Sequence, residues 1–160
     1  MPPADHRLVD MREFVAAQRG ERYRSFLVHG PPGSGKSSFA RRLAEQAQGE
    51  YVDALARVAA SPELCARTDT LDVPWLKQLA LDAARAGAGL VLIDELDFLV
   101  PIWSGDLGPL LELVRGLSVT ETHAILGVFT RTRPELEAAI IRTSRGTPRL
   151  FRLEELQTIA

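Results

Sequence analysis

Two hydrophobic rhythms alternate along the chain. Short apolar runs sit at residues 25–29, 90–93 and 124–129, and between them apolar residues return every three or four positions. The runs read as strands and the periodic stretches as helices. Residues 8–19 predict an amphipathic helix with Leu8, Met11, Phe14 and Val15 on one side and Gly20 as its stop. Residues 37–48 predict a second helix, on Phe39, Leu43 and Ala47, ended by Gly49. A strand over 51–55 follows. Asp72 is placed to cap a helix that starts near Pro74 and carries Trp75, Leu76, Leu79 and Ala83 towards Gly87 and Gly89. Helices are expected at 109–117 and 134–141, and a last strand at 149–153. The run Leu90-Val-Leu-Ile has no polar alternation, the pattern of a strand covered on both faces. Strands alternating with helices predict an α/β fold: a three-layer parallel sheet of about five strands flanked by helices. With no linker in view, residues 1–160 are read as one domain.

Composition changes this picture little. At 160 residues, 46% hydrophobic and 25% charged, the chain can bury a core without disulfides or structural metal. A net charge of −2 gives no global drive towards nucleic acid or membranes. Cys65 is the single cysteine, so no internal disulfide can form, and a reducing cytoplasm is the expected compartment. No apolar run approaches the ~18–20 residues of a membrane span, and residues 1–12 lack the apolar stretch of a signal peptide.

Chemistry enters at Gly30-Pro-Pro-Gly-Ser-Gly-Lys36-Ser37, which fits G-x-x-x-x-G-K-[ST] at every fixed position. Glycines at 30, 33 and 35 permit backbone angles that let successive N–H groups converge on phosphate oxygens. The helix that follows points its positive end at the same place. Lys36 reaches the outer phosphates and the Ser37 hydroxyl can ligate Mg²⁺. Gly30, Pro31, Pro32, Gly33, Ser34, Gly35, Lys36, Ser37 and the following Ser38 are therefore the expected contacts to ATP.

The run at 90–93 ends in Asp94-Glu95. In an open α/β sheet, ligands lie beyond the carboxyl ends of the strands, so this pair should face the phosphate loop. Asp94 is then a direct or water-mediated Mg²⁺ carboxylate, and Glu95 the group that orients and deprotonates the attacking water. A water-activating acid favours hydrolysis over transfer to a small molecule. A kinase would also want an arginine-rich lid insertion, whereas residues 57–70 carry only Arg57 and Arg67.

Together these motifs resemble the AAA+ family of ATPases. Beyond the loop and Asp94-Glu95-Leu-Asp97, the resemblance runs through Phe129-Thr-Arg-Thr-Arg-Pro134 and Ala139-Ile-Ile-Arg142-Thr-Ser-Arg145. It implies a sensor, Thr130 or Thr132, that bonds the attacking water or γ-phosphate, where the family usually has Asn. It implies that Arg142 or Arg145 enters a neighbouring subunit's site as an arginine finger, so that hydrolysis depends on a homo-oligomer. The chain ends soon after the last strand, which leaves no room for the family's helical lid and moves adenine recognition to residues 8–24 or to a partner. No aromatic pore loop is evident between Tyr51 and Thr70. More faintly, Leu92-Ile-Asp94, residues 98–101 and 106–111, and the ending from Gly146 to Leu156 are similar to the small P-loop component of BREX-type phage-defence systems, which implies larger defence-system partners.

Three features remain open. Six arginines against two glutamates between Arg131 and Arg152 form a basic stripe that could meet DNA phosphates, ATP and a neighbour, or water. Trp103 is either a partner anchor or a packing residue. His6, His29 and His123 are too scattered for a metal site. The leading expectation is an ATPase switch or motor subunit. The alternatives are a non-catalytic nucleotide-binding subunit and a DNA-binding ATPase subunit.

Overall fold

The computed structural model describes residues 7–159. His6 and the outermost residues of the expected 1–160 domain lie outside the described residues. The elements run α1 (Met11–Gln18), β1 (Ser25–Gly30), α2 (Lys36–Gln46), β2 (Glu50–Asp53), α3 (Ala54–Ala59), α4 (Pro62–Ala66), α5 (Val73–Arg85), β3 (Leu90–Asp94), α6 (Gly108–Gly116), β4 (Ile125–Arg131), α7 (Pro134–Ala138) and β5 (Leu150–Arg152). The five strands form one parallel sheet in the order β2-β3-β4-β1-β5. Every residue of β1 and β3 is buried, as central strands between two helical layers must be, and the polar Ser25, His29 and Asp94 sit at their ends.

Alternate strand residues feed two cores. Phe26, Val28, Leu90, Leu92, Ile125, Phe129 and Phe151 pack with Met11, Phe14, Phe39 and Leu43 of α1 and α2. Leu27, Val91, Ile93, Leu126 and Val128 pack with Leu76 and Ala80 of α5, Leu110 and Val114 of α6, and Leu136 of α7. The sheet is thus the middle of three layers, as the alternation of apolar runs and helical periods predicts. Trp103 is held by packing against the second core and by an Nε1–H bond to the Leu71 carbonyl at 2.8 Å, so it is a packing residue.

Local chemistry moves several boundaries. The first helix starts at Met11, not residue 8, because Asp10 caps it and Val9 pairs instead with the end of the chain: Val9 N–H donates to the Glu155 carbonyl and Gln157 N–H to the Val9 carbonyl, both at 2.8 Å. The strand expected to reach 55 stops at Asp53, whose carboxylate accepts the Ala56 N–H at 2.8 Å and starts α3. Ser61 likewise caps α4. Asp72 caps α5 through the Trp75 N–H, as its position in the sequence suggests. The helix from Pro134 ends at Ala138, short of 141, because residues 141–149 turn back on themselves: Arg149 N–H bonds the Ile141 carbonyl, and Arg142 bridges Pro148.

Arg149 closes that turn from inside. Only 3% exposed, its guanidinium donates to the carbonyls of Ser25 (2.8 Å), Val114 (3.0 Å), Arg115 (3.3 Å) and Arg142 (3.1 Å). Two of these lie at the carboxyl end of α6, where the helix dipole is negative. Burial lowers its pKa from the usual arginine value.

At the centre of the sheet, Gly127 faces the α1–α2 layer. A Cβ there would lie 2.4 Å from Phe26 Cζ and 2.6 Å from Leu92 Cδ2. Neither ring nor branch has room to retreat in a packed core. Gly127→Ala is expected to cost about 1–3 kcal/mol, read as a lower urea midpoint at unchanged m-value.

Candidate nucleotide site

The phosphate loop joins β1 to α2 at the carboxyl edge of the sheet. Gly33 (φ +75°) and Gly35 (φ +94°) adopt the left-handed conformation that the motif's glycines are there to permit. Gly30 is needed for space: a Cβ would lie 2.8 Å from Ser34 Oγ and 3.3 Å from Lys36 Cγ. Gly35 is the N-cap of α2 and supplies no side-chain bond, which leaves the first N–H groups of the helix for a ligand.

Facing the loop is the end of β3. Asp94 is 2% exposed, and its Oδ2 accepts the Tyr51 hydroxyl at 2.6 Å. Burial first, and then this bond, raise the Tyr51 pKa well above the ordinary phenol value, so it stays a donor. Glu95 takes φ +57°, a conformation that costs a non-glycine residue about 1–3 kcal/mol. That twist turns its carboxylate across the cleft, where Oε1 accepts the Ser37 hydroxyl at 3.0 Å. Asp97, in the turn Asp97–Leu99, uses one oxygen for the Thr130 hydroxyl (2.7 Å) and the Arg131 N–H (3.0 Å), and pairs with Arg133 at 3.7 Å.

Two cavities flank the loop. The first, about 630 Å³, is lined by Pro32, Gly33, Gly35, Lys36, Ser37, Ser38, Glu95, Asp97 and Arg131. The second, about 700 Å³, includes Leu8, His29, Gly30, Pro31, Ser34, Gly35, Ser38, Phe39, Arg42, Thr132, Leu153, Leu156 and Ile159. Gly35 and Ser38 border both. Such a site suits a ligand with a charged end over Lys36 and an apolar body between Leu8 and the Leu156–Ile159 segment.

Among the described residues, no three His, Cys, Asp or Glu side chains gather into a metal cage. Ser37, Asp94 and Glu95 offer hard oxygens beside the loop. One or two such oxygens, completed by phosphate and water, is the way Mg²⁺ is held, so the residues fit that ion.

The other sequence candidates fall elsewhere. Thr130 is fully buried on Asp97. Thr132 bonds His29 Nδ1 at 2.9 Å and faces the second cavity. Arg142 and Arg145 lie outside both cavities in the exposed turn after α7, and Arg142 donates to its own Gly146 carbonyl at 2.9 Å. The basic stripe does not form as one surface: Arg149 is buried, Arg133 is turned to Asp97, and Arg152 pairs with Glu154. Sequence reasoning missed Arg131, Tyr51, and the role of the Leu156–Ile159 segment. Strand alternation from Phe129 would have directed Arg131 to the α2 side; Tyr51 and that segment meet the site only through tertiary packing.

A phosphate loop on a β2-β3-β4-β1-β5 parallel sheet, facing a strand-end Asp-Glu pair, now has an independent parallel. The family model described as AAA ATPase domain matches residues 6–160. The chain belongs to this family. No curated protein sequence matches it. As a member of the AAA ATPase domain family, the chain carries a nucleotide-binding fold of the ATPase type, and the match covers the resemblance carried by the loop and the acidic pair. It lends nothing to the fainter likeness to BREX-type components. Among the described residues, no helix of this AAA protein is long and apolar enough to cross a membrane.

His29 gives folding stability a pH dependence. It is 1% exposed, its Nε2 is buried with no partner among the described residues, and its pKa is lowered first by burial and then by Arg152. Unfolding frees the imidazole to titrate near its ordinary 6.5. The unfolded state therefore binds the proton first, and this part of stability is complete above that value and lost as pH falls towards the lower folded pKa. Urea midpoints are expected to drop between about pH 7.5 and pH 5.5 in the wild type, and less steeply in His29→Gln.

Proposed function

We propose that this chain is a single-domain, Mg²⁺-dependent ATP hydrolase that acts as a switch or motor subunit within an assembly. The observation that supports hydrolysis is the Ser37–Glu95 hydrogen bond at 3.0 Å. It brings a carboxylate across the cleft to the residue at which the phosphate chain would end.

The loop amides and the open N-terminus of α2 bind the phosphates, with Lys36 on the outer ones. Mg²⁺, held by Ser37 with Asp94 behind it, would offset charge on the phosphate oxygens. Tyr51 fixes the Asp94 carboxylate through its hydroxyl. Glu95 exchanges its bond to Ser37 for one to the attacking water, and takes its proton. Thr130 is a positioning residue: it holds Asp97, which holds the backbone of Arg131. Adenine lies in the second cavity, between Leu8 and the Leu156–Ile159 segment. Of the two finger candidates, Arg145 is the better placed to enter a neighbour's site, since Arg142 is bonded to its own turn and Ile140 beside them is 67% exposed.

The second reading, a nucleotide-binding subunit without turnover, shares the same loop and differs only in Glu95. Nothing in the geometry of the site points to DNA or to phage defence.

Glu95→Gln is expected to keep ATP binding and to lower phosphate release by about 10²–10⁴-fold, the usual worth of a general base. Tight binding with no turnover by the wild type at any concentration would replace hydrolysis with the second reading. Specific activity should rise with protein concentration and lose that rise in Arg145→Ala. Activity per molecule that stays flat over a wide dilution series would remove the arginine finger.

A further inference from the structure

We infer that Tyr51 sets which divalent cation the site accepts: by holding one oxygen of Asp94 it leaves a single oxygen for the ion, which suits Mg²⁺ and disfavours Ca²⁺. The inference rests on the ATP-site and Mg²⁺ reading above and deepens it.

Strand register places the residue. β2 is the edge strand beside β3, and Tyr51 lies opposite Leu92. Leu90 and Leu92 face the α1–α2 layer, so alternation turns Asp94 to that layer as well. Tyr51 packs against the same layer. Asp94 is thus its diagonal neighbour, two residues further along the same face and within reach of an aromatic side chain. The Tyr51 hydroxyl donates to Oδ2 at 2.6 Å. In turn, the Arg41 guanidinium lies over the Tyr51 ring, 4.9 Å from its centroid. Arg41 is one helical turn beyond Ser37 on α2. Ser37 and Asp94, the two residues that offer oxygens to the ion, are therefore tied to each other through Arg41 and Tyr51.

That tie selects by coordination. Mg²⁺ takes about six ligands at roughly 2.0–2.1 Å, keeps several waters and needs only one oxygen of a carboxylate. Ca²⁺ takes roughly six to eight at about 2.3–2.6 Å and gains from a carboxylate that gives both. The Tyr51 hydroxyl occupies the second oxygen of Asp94, and the carboxylate is buried. Asp53, directly opposite Asp94 in the register, does not make up the shortfall: its carboxylate accepts the Ala56 N–H and caps α3. A larger ion finds one oxygen where it gains from two.

The test is calorimetric binding of an imido-bridged, non-hydrolysable ATP analogue to the full chain, with Mg²⁺ and with Ca²⁺ at one pH. Wild type is expected to bind the Mg²⁺ complex more tightly. Tyr51→Phe keeps the ring over Arg41 but frees Oδ2. It should narrow the ratio of Mg²⁺ to Ca²⁺ affinities by roughly 10-fold, the worth of a hydrogen bond to a charged group. Arg41→Gln, at an exposed position of α2, should narrow it by less. Thermal melts check folding. A ratio unmoved in Tyr51→Phe (or in Arg41→Gln, should the first not fold), or equal losses with both cations, would overturn the inference. So would a wild type that binds the Ca²⁺ complex as tightly. Wild-type binding that is the same with and without Mg²⁺ would overturn the Mg²⁺ reading instead, and no nucleotide binding at all the ATP-site reading.

Discussion

The register between β1 and β4 governs what can happen at the carboxyl edge of the sheet. Six consecutive pairs, from Ser25 opposite Leu126 to Gly30 opposite Arg131, hold two strands that are far apart in sequence. Slipping this pairing by one residue would turn every β4 side chain to the other layer. Phe129 would leave the α2 core, Thr130 would lose Asp97, and Arg131 would point away from the loop. The missing side chain at Gly127 protects the register, because Phe26 and Leu92 close over that position and no other β4 residue is small enough to take it. A glycine in the middle of the sheet, which by propensity weakens a strand, here keeps the site in alignment.

On this frame the acidic residues divide their work. Asp94 sits within the strand, buried, and held by Tyr51 from the neighbouring β2 segment. Glu95 is the first residue beyond it and takes a strained backbone to face Ser37. The rigid carboxylate is suited to holding a charge in place, and the strained one to changing partners. Asp97 works sideways, binding β4 to the turn after β3 through two hydrogen bonds and an ion pair. Three carboxylates within four residues thus have three distinct mechanical situations.

Much of this was legible in the sequence. The loop, the five strands and the three layers follow from local rules: glycine spacing, apolar runs, and helical periodicity between them. The Asp72 cap followed from a single side chain and its neighbour. What escaped reading was decided by partners distant in sequence. Val9 looked helical until the chain end supplied a strand-like partner, and residues 139–141 looked helical until Arg149 drew them into a turn. The sensor threonines were sought by motif, yet strand parity directs 130 away from the loop and 131 towards it. The arginine stripe was a property of composition, and folding dispersed it, since each guanidinium found a different neighbour.

Arg149 has a consequence of a mechanical kind. Its guanidinium ties together the turn that carries Arg142 and Arg145, the carboxyl end of α6, and the first residue of β1. β1 is short, fully hydrogen-bonded and ends in the phosphate loop. The exposed turn and the phosphate loop are therefore joined through the two ends of one buried strand, with a buried cation as the fastening at the end that meets the turn.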